Sequence, residues 1–295
     1  MISVLIPVYN YNVVNLVTHI HTQLQLCNVP FEIMCLDDAS TSDIVLENEK
    51  LSNLDFTKYL ISNKNLGRTS ARQYLAEKAN YEWLLFLDAD VIPKTEQFIN
   101  NYLKYINHEH EAIYGGFAYY KKQPEPEYML RWKYGSTHEQ LSAQERNAKP
   151  YKVIISANFM IKKLVFLDIN SQIAQKGYGF DNFFAAILKM KKIKVFHINN
   201  EVYHLGIETS KTYLRKKEKA AETLLKLYNL DKIKSHQNDL LKLYIQLKRF
   251  KLRFVFSCIH KVFKAKFEQH LTGSNPSMTM LQLYRICYIC HLDLS

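Results

Sequence analysis

Five consecutive apolar residues, Trp83–Leu87, run straight into two aspartates, Asp88 and Asp90, one residue apart. The run is too short for a helix of its own and too apolar for a surface strand, so it predicts a central strand buried on both faces. In extended chain, residues i and i+2 point to the same side, which aims both carboxylates at one spot on the carboxyl edge of a sheet. Like charges held that close repel unless a cation sits between them. One aspartate after a strand is ordinary turn chemistry; a second on the same side asks for a ligand.

Short apolar runs alternate with helical patterns through the first two hundred residues, which predicts an α/β fold with a mainly parallel central sheet flanked by helices. Residues 3–8, 31–36 and 58–62 read as strands and 13–26 as an amphipathic helix. The stretch NKNLGRTSARQYLAEKA opens a helix near Gly67, Pro93 and Lys94 start another, and EAIYGGFAYY is a further strand with Gly115 and Gly116 at a bend or a close approach. Residues 121–150 are polar and Pro-bearing, an excursion over the active face rather than core. KVIISANFMI and IKVFHI follow as strands, with QKGYGFDN a Gly-bearing loop into a helix at 183–190. Beyond His204 the patterns 211–228 and 239–267 are basic and helical, TGSNP breaks them, and 278–290 forms a last helix. The domains expected are 1–207 and a helical basic C-terminal extension, 208–295.

The formal charge of +11 is local. Residues 211–270 hold 16 Lys and Arg against 5 Asp and Glu, leaving 23 against 23 elsewhere. No nucleic-acid recognition module accompanies the charge, so nucleic acid is not an expected partner. In LLKLYIQLKRFKLRFVF apolar residues recur at helical spacing, which suits either an anionic membrane surface or a solvated face that packs its apolar side on the first domain. Five cysteines, at 27, 35, 258, 287 and 290, make no disulfide framework, and the Cys287–Cys290 spacing lacks a second pair. The N-terminus reads as a strand rather than a signal peptide, and no apolar run approaches the roughly 20 residues that span a bilayer. The expected location is cytoplasmic, with any membrane contact peripheral on the inner face of the plasma membrane.

In an open parallel sheet, ligands bind beyond the carboxyl ends of the strands. Asp37 with Asp38, Asp88 with Asp90, and Asp181 in its Gly loop are the acidic pieces placed there. Hard oxygen ligands of this kind hold Mg²⁺ or Mn²⁺, which fills its shell with phosphate oxygens. The aspartate pair therefore reads as a metal platform for a phosphorylated substrate.

IPVYN at 6–10, DDAS at 37–40, NLGRTSAR at 65–72 and LDAD at 87–90, in this order, resemble the family-2 glycosyltransferases of the GT-A (nucleotide-diphospho-sugar transferase) fold. The later RWKYG, SANFMI, GYGFDN and HINNEVYHLG are similar to a bacterial branch that decorates surface polysaccharides. The resemblance covers about residues 2–206 and implies an inverting, metal-dependent transfer from a nucleotide-sugar donor to a glycan or lipid-linked acceptor. It implies that Pro7, Tyr9, Asp37 and Asp38 contact uracil and ribose, and that Arg68 and Arg72 lie near the nucleotide. By the same resemblance Asp88 binds ribose or metal, Asp90 is the metal ligand, and His204 stands where related enzymes place a further one. Where the branch usually carries Gly-x-Gly-x-Glu-Asp, this chain has GYGFDN. An amide cannot accept the acceptor's proton, so Asp181, not Asn182, is the candidate general base.

Two alternatives stay open. The substitution at Asn182 permits a GT-A protein that binds nucleotide without catalysing transfer. LLFLDADV also fits the opening motif of haloacid-dehalogenase-type phosphatases, in which the first aspartate is a nucleophile. That motif normally opens its domain, whereas here two strands precede it.

Overall fold

The computed structural model describes residues 1–173, 177–233 and 236–295. Gln175 and Lys176 of the Gly-bearing loop and Lys234 of the basic segment lie outside the described residues. The chain divides into two compact units, Met1–Ala118 with Leu141–Lys176 and Lys192–Gly206, and Tyr119–Gln140 with Gly177–Lys191 and Ile207–Ser295.

Among the described residues the first unit carries ten strands: β1 (Ile2–Val8), β2 (Phe31–Asp37), β3 (Thr57–Ile61), β4 (Trp83–Leu87), β5 (Val91–Pro93), β6 (Ala112–Tyr114), β7 (Phe117–Ala118), β8 (Asn158–Lys162), β9 (Val195–His197) and β10 (Val202–His204). Seven form one sheet in the order β3-β2-β1-β4-β8-β6-β9, and β5-β10-β7 form a second. In the large sheet β1 pairs parallel with both β2 and β4, β2 with β3, and β6 with β9; only β8 runs antiparallel to its neighbours. This is the mainly parallel α/β architecture anticipated from the sequence. All five residues of β4 are buried and the strand is central. Phe86 of β4 faces Phe159 of β8, which faces Tyr114 of β6, so a row of rings stacks across three strands at 5.0 and 5.3 Å.

The strand order fixes where a ligand can go. From β1 the chain steps outward to β2 and β3, then returns to pair β4 on the other side of β1. The loops leaving β1 and β4 diverge at that reversal, which opens a crevice at their carboxyl ends.

Several elements differ from the sequence reading. Val91–Pro93 is a strand, and the helix expected at Pro93 begins at Phe98. EAIYGGFAYY is two strands in two sheets, because the pair Gly115–Gly116 ends β6 and redirects the chain into β7. Residues 121–150 are no structureless excursion: they contain the helices Met129–Tyr134 and Ala143–Asn147, and Leu130 and Arg146 are buried. The Arg146 guanidinium donates to the carbonyls of Tyr114, Gly115 and Ile198, satisfying acceptors that the break between the sheets leaves open. The helix expected at 183–190 starts at Phe180, which brings Asp181 into its first turn.

The second unit is helical. Its helices include Phe180–Met190, Ser210–Asn229, Asp239–Arg249, Arg253–Leu271 and Met278–Asp293. Thr209, Asn238 and Ser277 cap three of them by accepting from the backbone N–H groups of Thr212, Leu241 and Met280. Leu130, Tyr213, Leu214, Phe267, Leu271, Leu281 and Tyr284 form a shared core. Beside it Glu139 pairs with Arg131 at 3.0 Å and accepts from the Tyr119 hydroxyl at 2.5 Å. Burial opposes ionisation of Glu139, but Arg131 and Lys217 outweigh it and bring its carboxyl to about 2. All five cysteines are free. Among the described residues no helix is long and apolar enough to cross a membrane.

Candidate functional site

The loops after β1 and β2 are stitched to each other. Asn10 donates its backbone N–H to Ser40 Oγ at 2.8 Å and accepts from the Thr41 backbone at 2.8 Å. Pro7 lies in β1, one residue short of the strand end, and Tyr9 follows the strand, 52% exposed. Asp37 and Asp38 are both buried and both engaged. Asp37 accepts from the Ser40 backbone at 2.6 Å and from the Tyr59 hydroxyl at 2.6 Å. Asp38 accepts from the backbone N–H groups of Leu66 and Gly67 at 2.5 and 2.8 Å, and so fixes the entry to the helix Arg68–Lys78. The two carboxylates expected to reach a nucleotide thus also hold the loops around the crevice.

That helix presents Arg68 and Arg72, one turn apart, to the end of β4. Asp88 pairs with both, with Arg68 at Oδ2 and with Arg72 at Oδ1 at 2.6 Å. Arg72 is buried and its guanidinium also donates to the Ser156 carbonyl at 2.6 Å.

Asp90 faces a different partner. β5 follows Asp90 directly and pairs antiparallel with β10 so that His204 stands opposite Val91. The Leu205 N–H donates to the Asp90 carbonyl at 2.8 Å. His204 Nε2 then lies 3.4 Å from Asp90 Oδ2, with the carboxylate side chain 30% and the imidazole 11% exposed. Burial works against ionisation of Asp90, yet the hydrogen bond and charge of His204, with the charge of Arg68, outweigh it and hold the carboxyl below its ordinary value. Gly206 packs against this carboxylate so closely that a Cβ there would collide with it. A cleft of about 600 Å³ opens alongside, lined by Tyr11, Asn12, Asn15, Ala89, Ile92 and Leu205, a size suited to a small-molecule ligand. Among the described residues no three His, Cys, Asp or Glu side chains converge as a metal cluster. Asp90 and His204 are a two-donor set, while Asp88 is turned to its arginines.

Asp181 belongs to the second unit. It is exposed in the first turn of Phe180–Met190, where the helix dipole favours a carboxylate. Its loop is tied down locally. Gly179 adopts φ +92°, and a Cβ there would meet the backbone of Ala220 at 2.8 Å, so glycine is required twice over. Lys216 lies over the Tyr178 ring at 4.7 Å. Asn182 Oδ1 accepts from Asn238 at 2.8 Å.

Tyr11, Tyr59 and Gly206 were not among the residues singled out from the sequence. Gly206 had a readable signal, a glycine two residues after the candidate ligand His204, where backbone must approach closely. Tyr59 had none, since its hydroxyl meets Asp37 only through the parallel register of β2 and β3.

The family model described as "Glycosyl transferase family 2" matches residues 3–169, more than half of the chain. The chain belongs to glycosyl transferase family 2. Solved structures agree on the fold. The mannosyltransferase PcManGT from Pyrobaculum calidifontis, in complex with GDP-Man and Mn²⁺, aligns at TM-score 0.52 and 13% identity over 77% of this chain and 64% of that one. S. aureus TarS 1–349 in complex with UDP-GlcNAc aligns at TM-score 0.50 and 14% identity over 100% of this chain and 92% of that one. Glucosyl-3-phosphoglycerate synthase from Mycobacterium tuberculosis, in complex with Mg²⁺ and UDP, aligns at TM-score 0.50 and 13% identity over 76% and 78%. In two other alignments, both at TM-score 0.49, this family-2 chain spans 65% and 39% of the TarS chains compared. No curated protein matches the chain in sequence.

Proposed function

We propose that this chain is an inverting, metal-dependent glycosyltransferase. It moves a sugar from a nucleotide-diphosphate donor, a UDP-sugar first among them, to a hydroxyl of a glycan or lipid-linked acceptor in cell-surface polysaccharide synthesis. Residues 1–207 form the transferase domain in this reading and 208–295 its helical extension. The observation that carries the proposal is the Asp90–His204 pair beside a cleft at the strand reversal of a family-2 chain. Support comes from the structural neighbours, whose complexes hold UDP, UDP-GlcNAc or GDP-Man, two of them with Mn²⁺ or Mg²⁺.

Asp90 and His204 fit a divalent cation: one ionised oxygen donor and one imidazole nitrogen within 3.4 Å, a mixed set that favours Mn²⁺ over Mg²⁺. Held there by Asp90 and His204, a divalent cation would supply positive charge to offset that developing on the leaving diphosphate. Pro7 and Tyr9 supply a surface for the uracil, with Asp37 and Asp38 keeping its walls in place. Arg68 and Arg72, with Asp88 between them, line the nucleotide side. Asp181 accepts the proton of the acceptor hydroxyl as that oxygen attacks the anomeric carbon and the bond to the diphosphate breaks, so a single displacement inverts the centre. The workplace proposed is the cytoplasm, at the inner face of the plasma membrane.

A second reading, a nucleotide-binding protein without transfer, draws on Asn182, whose amide is committed to Asn238. One screen separates the two: nucleotide sugars incubated with the chain and Mn²⁺, with release of the nucleoside diphosphate as readout. Metal-dependent release from a UDP-sugar supports transfer. UDP binding without release from any donor favours the second reading, and p-nitrophenyl phosphate hydrolysis with no sugar donor would sink both.

A further inference from the structure

The helix Arg253–Leu271 buries one face and leaves the opposite face apolar. Ser257, His260, Phe267 and Leu271 are buried, with the rings of His260 and Phe267 against Tyr284 of the helix Met278–Asp293. At 3.6 residues per turn, Phe254, Cys258, Val262 and Ala265 fall on the far side in one stripe, with Val255 at its margin and the polar Gln269 closing it at the C-terminal end. A helix that packs one face on its own domain normally turns charge to solvent there. Here Phe254 and Val262 are each 71% exposed and Val255 50%, and Phe250, just before the helix, adds 67%.

Charge identifies the occupant. Lys261 flanks the stripe on one side and Lys266 on the other, both exposed, and no acidic residue occurs between Asp239 and Glu268. A second copy of the chain meeting this face with its own would set lysines against lysines. An anionic lipid surface takes both features at once, headgroups for the lysines and the acyl boundary for the stripe. We propose that this face lies in the surface of an anionic phospholipid bilayer. The proposal deepens the membrane location proposed above by assigning it to one helix face, and it stands independently of the transfer reading.

Flotation of the full chain with phosphatidylcholine vesicles, with and without phosphatidylglycerol, tests it. The chain is expected to float with the anionic vesicles only, less so as salt is added. Phe254→Ser with Val262→Ser, and separately Lys261→Glu with Lys266→Glu, should each lower partitioning about tenfold or more. All four side chains are exposed, so both variants should keep the parent's melting temperature. Failure of the parent to float, or unchanged flotation of both variants, overturns the proposal. So does a parent dimer that Phe254→Ser with Val262→Ser dissociates while no flotation occurs, which would assign the face to a second copy.

Discussion

His204 Nε2 sits 3.4 Å from Asp90 Oδ2 because β10 pairs antiparallel with β5. If the pair holds the metal, Asp90→Asn should weaken Mn²⁺ and UDP binding together, by tenfold or more, since an amide offers one neutral oxygen in place of a charged carboxylate. Calorimetry with UDP and Mn²⁺ reads this directly, and parent-like affinity for both would remove the metal role.

Gly206→Ala places a methyl group against the same carboxylate. Overpacking costs about 1–3 kcal/mol, and here it falls on the donor that metal binding needs. The variant should lose UDP affinity in the presence of Mn²⁺ by about tenfold or more, while its affinity without metal stays close to the parent's.

Asp181→Asn should leave UDP and Mn²⁺ binding intact while turnover falls by about 10² to 10⁴, the usual share of a general base. Asn182→Asp supplies the complementary measurement. If turnover survives Asp181→Asn, the base of this chain lies elsewhere, because the Asn182 amide cannot take the proton; a rise in Asn182→Asp would show only that a carboxylate at 182 can serve.

The arginines on Asp88 should separate by burial. Arg72 is buried and bridges Asp88 to a backbone carbonyl, so Arg72→Met should destabilise the fold by about 3 kcal/mol or more. Arg68, with 46% of its side chain exposed, should cost less than about 1 kcal/mol on the same change. Urea denaturation of the two variants gives the comparison.

His197 is buried, accepts from Arg146 at 3.0 Å and lies 2.8 Å from the Pro150 carbonyl. Burial, reinforced by the Arg146 charge against an opposing bond to Pro150, lowers its pKa from 6.5 to about 4. The unfolded chain therefore binds the extra proton between those values and the folded chain does not, so stability falls as pH drops from about 6.5 to 4. The linkage amounts to about 3 kcal/mol at most. His197→Gln should flatten that part of the stability profile in denaturation series at successive pH values, and an unaltered slope would contradict the assignment.

The sequence disclosed what depends on runs of like residues. Trp83–Leu87 announced a strand buried on both faces, and the alternation around it announced a mainly parallel sheet. Partnership across strands was beyond it. Val202–His204 pairs on both sides and carries His204 to Asp90, yet three residues are too few to show a period. The turn of Asp88 toward Arg68 and Arg72 was equally hidden, because two aspartates at i and i+2 share a side in extended chain, and the chain past Leu87 is a turn. Pro93 misled because proline opens helices and edge strands alike.

The pairing of β5 with β10 makes chain length, more than side-chain identity, the guarded quantity near Asp90. The Lys94 N–H donates to the Glu201 carbonyl at 3.1 Å and the Leu205 N–H to Asp90 at 2.8 Å, so the short ladder is clamped at both ends. Sliding it by a single residue would retire the imidazole and bring a neighbouring side chain opposite Val91, the phenol of Tyr203 in one direction. Conservative replacements around residues 91–93 and 201–205 should therefore be tolerated far better than the loss or gain of one peptide unit, and an alignment of relatives that opens a gap there would be pairing proteins with different donor sets.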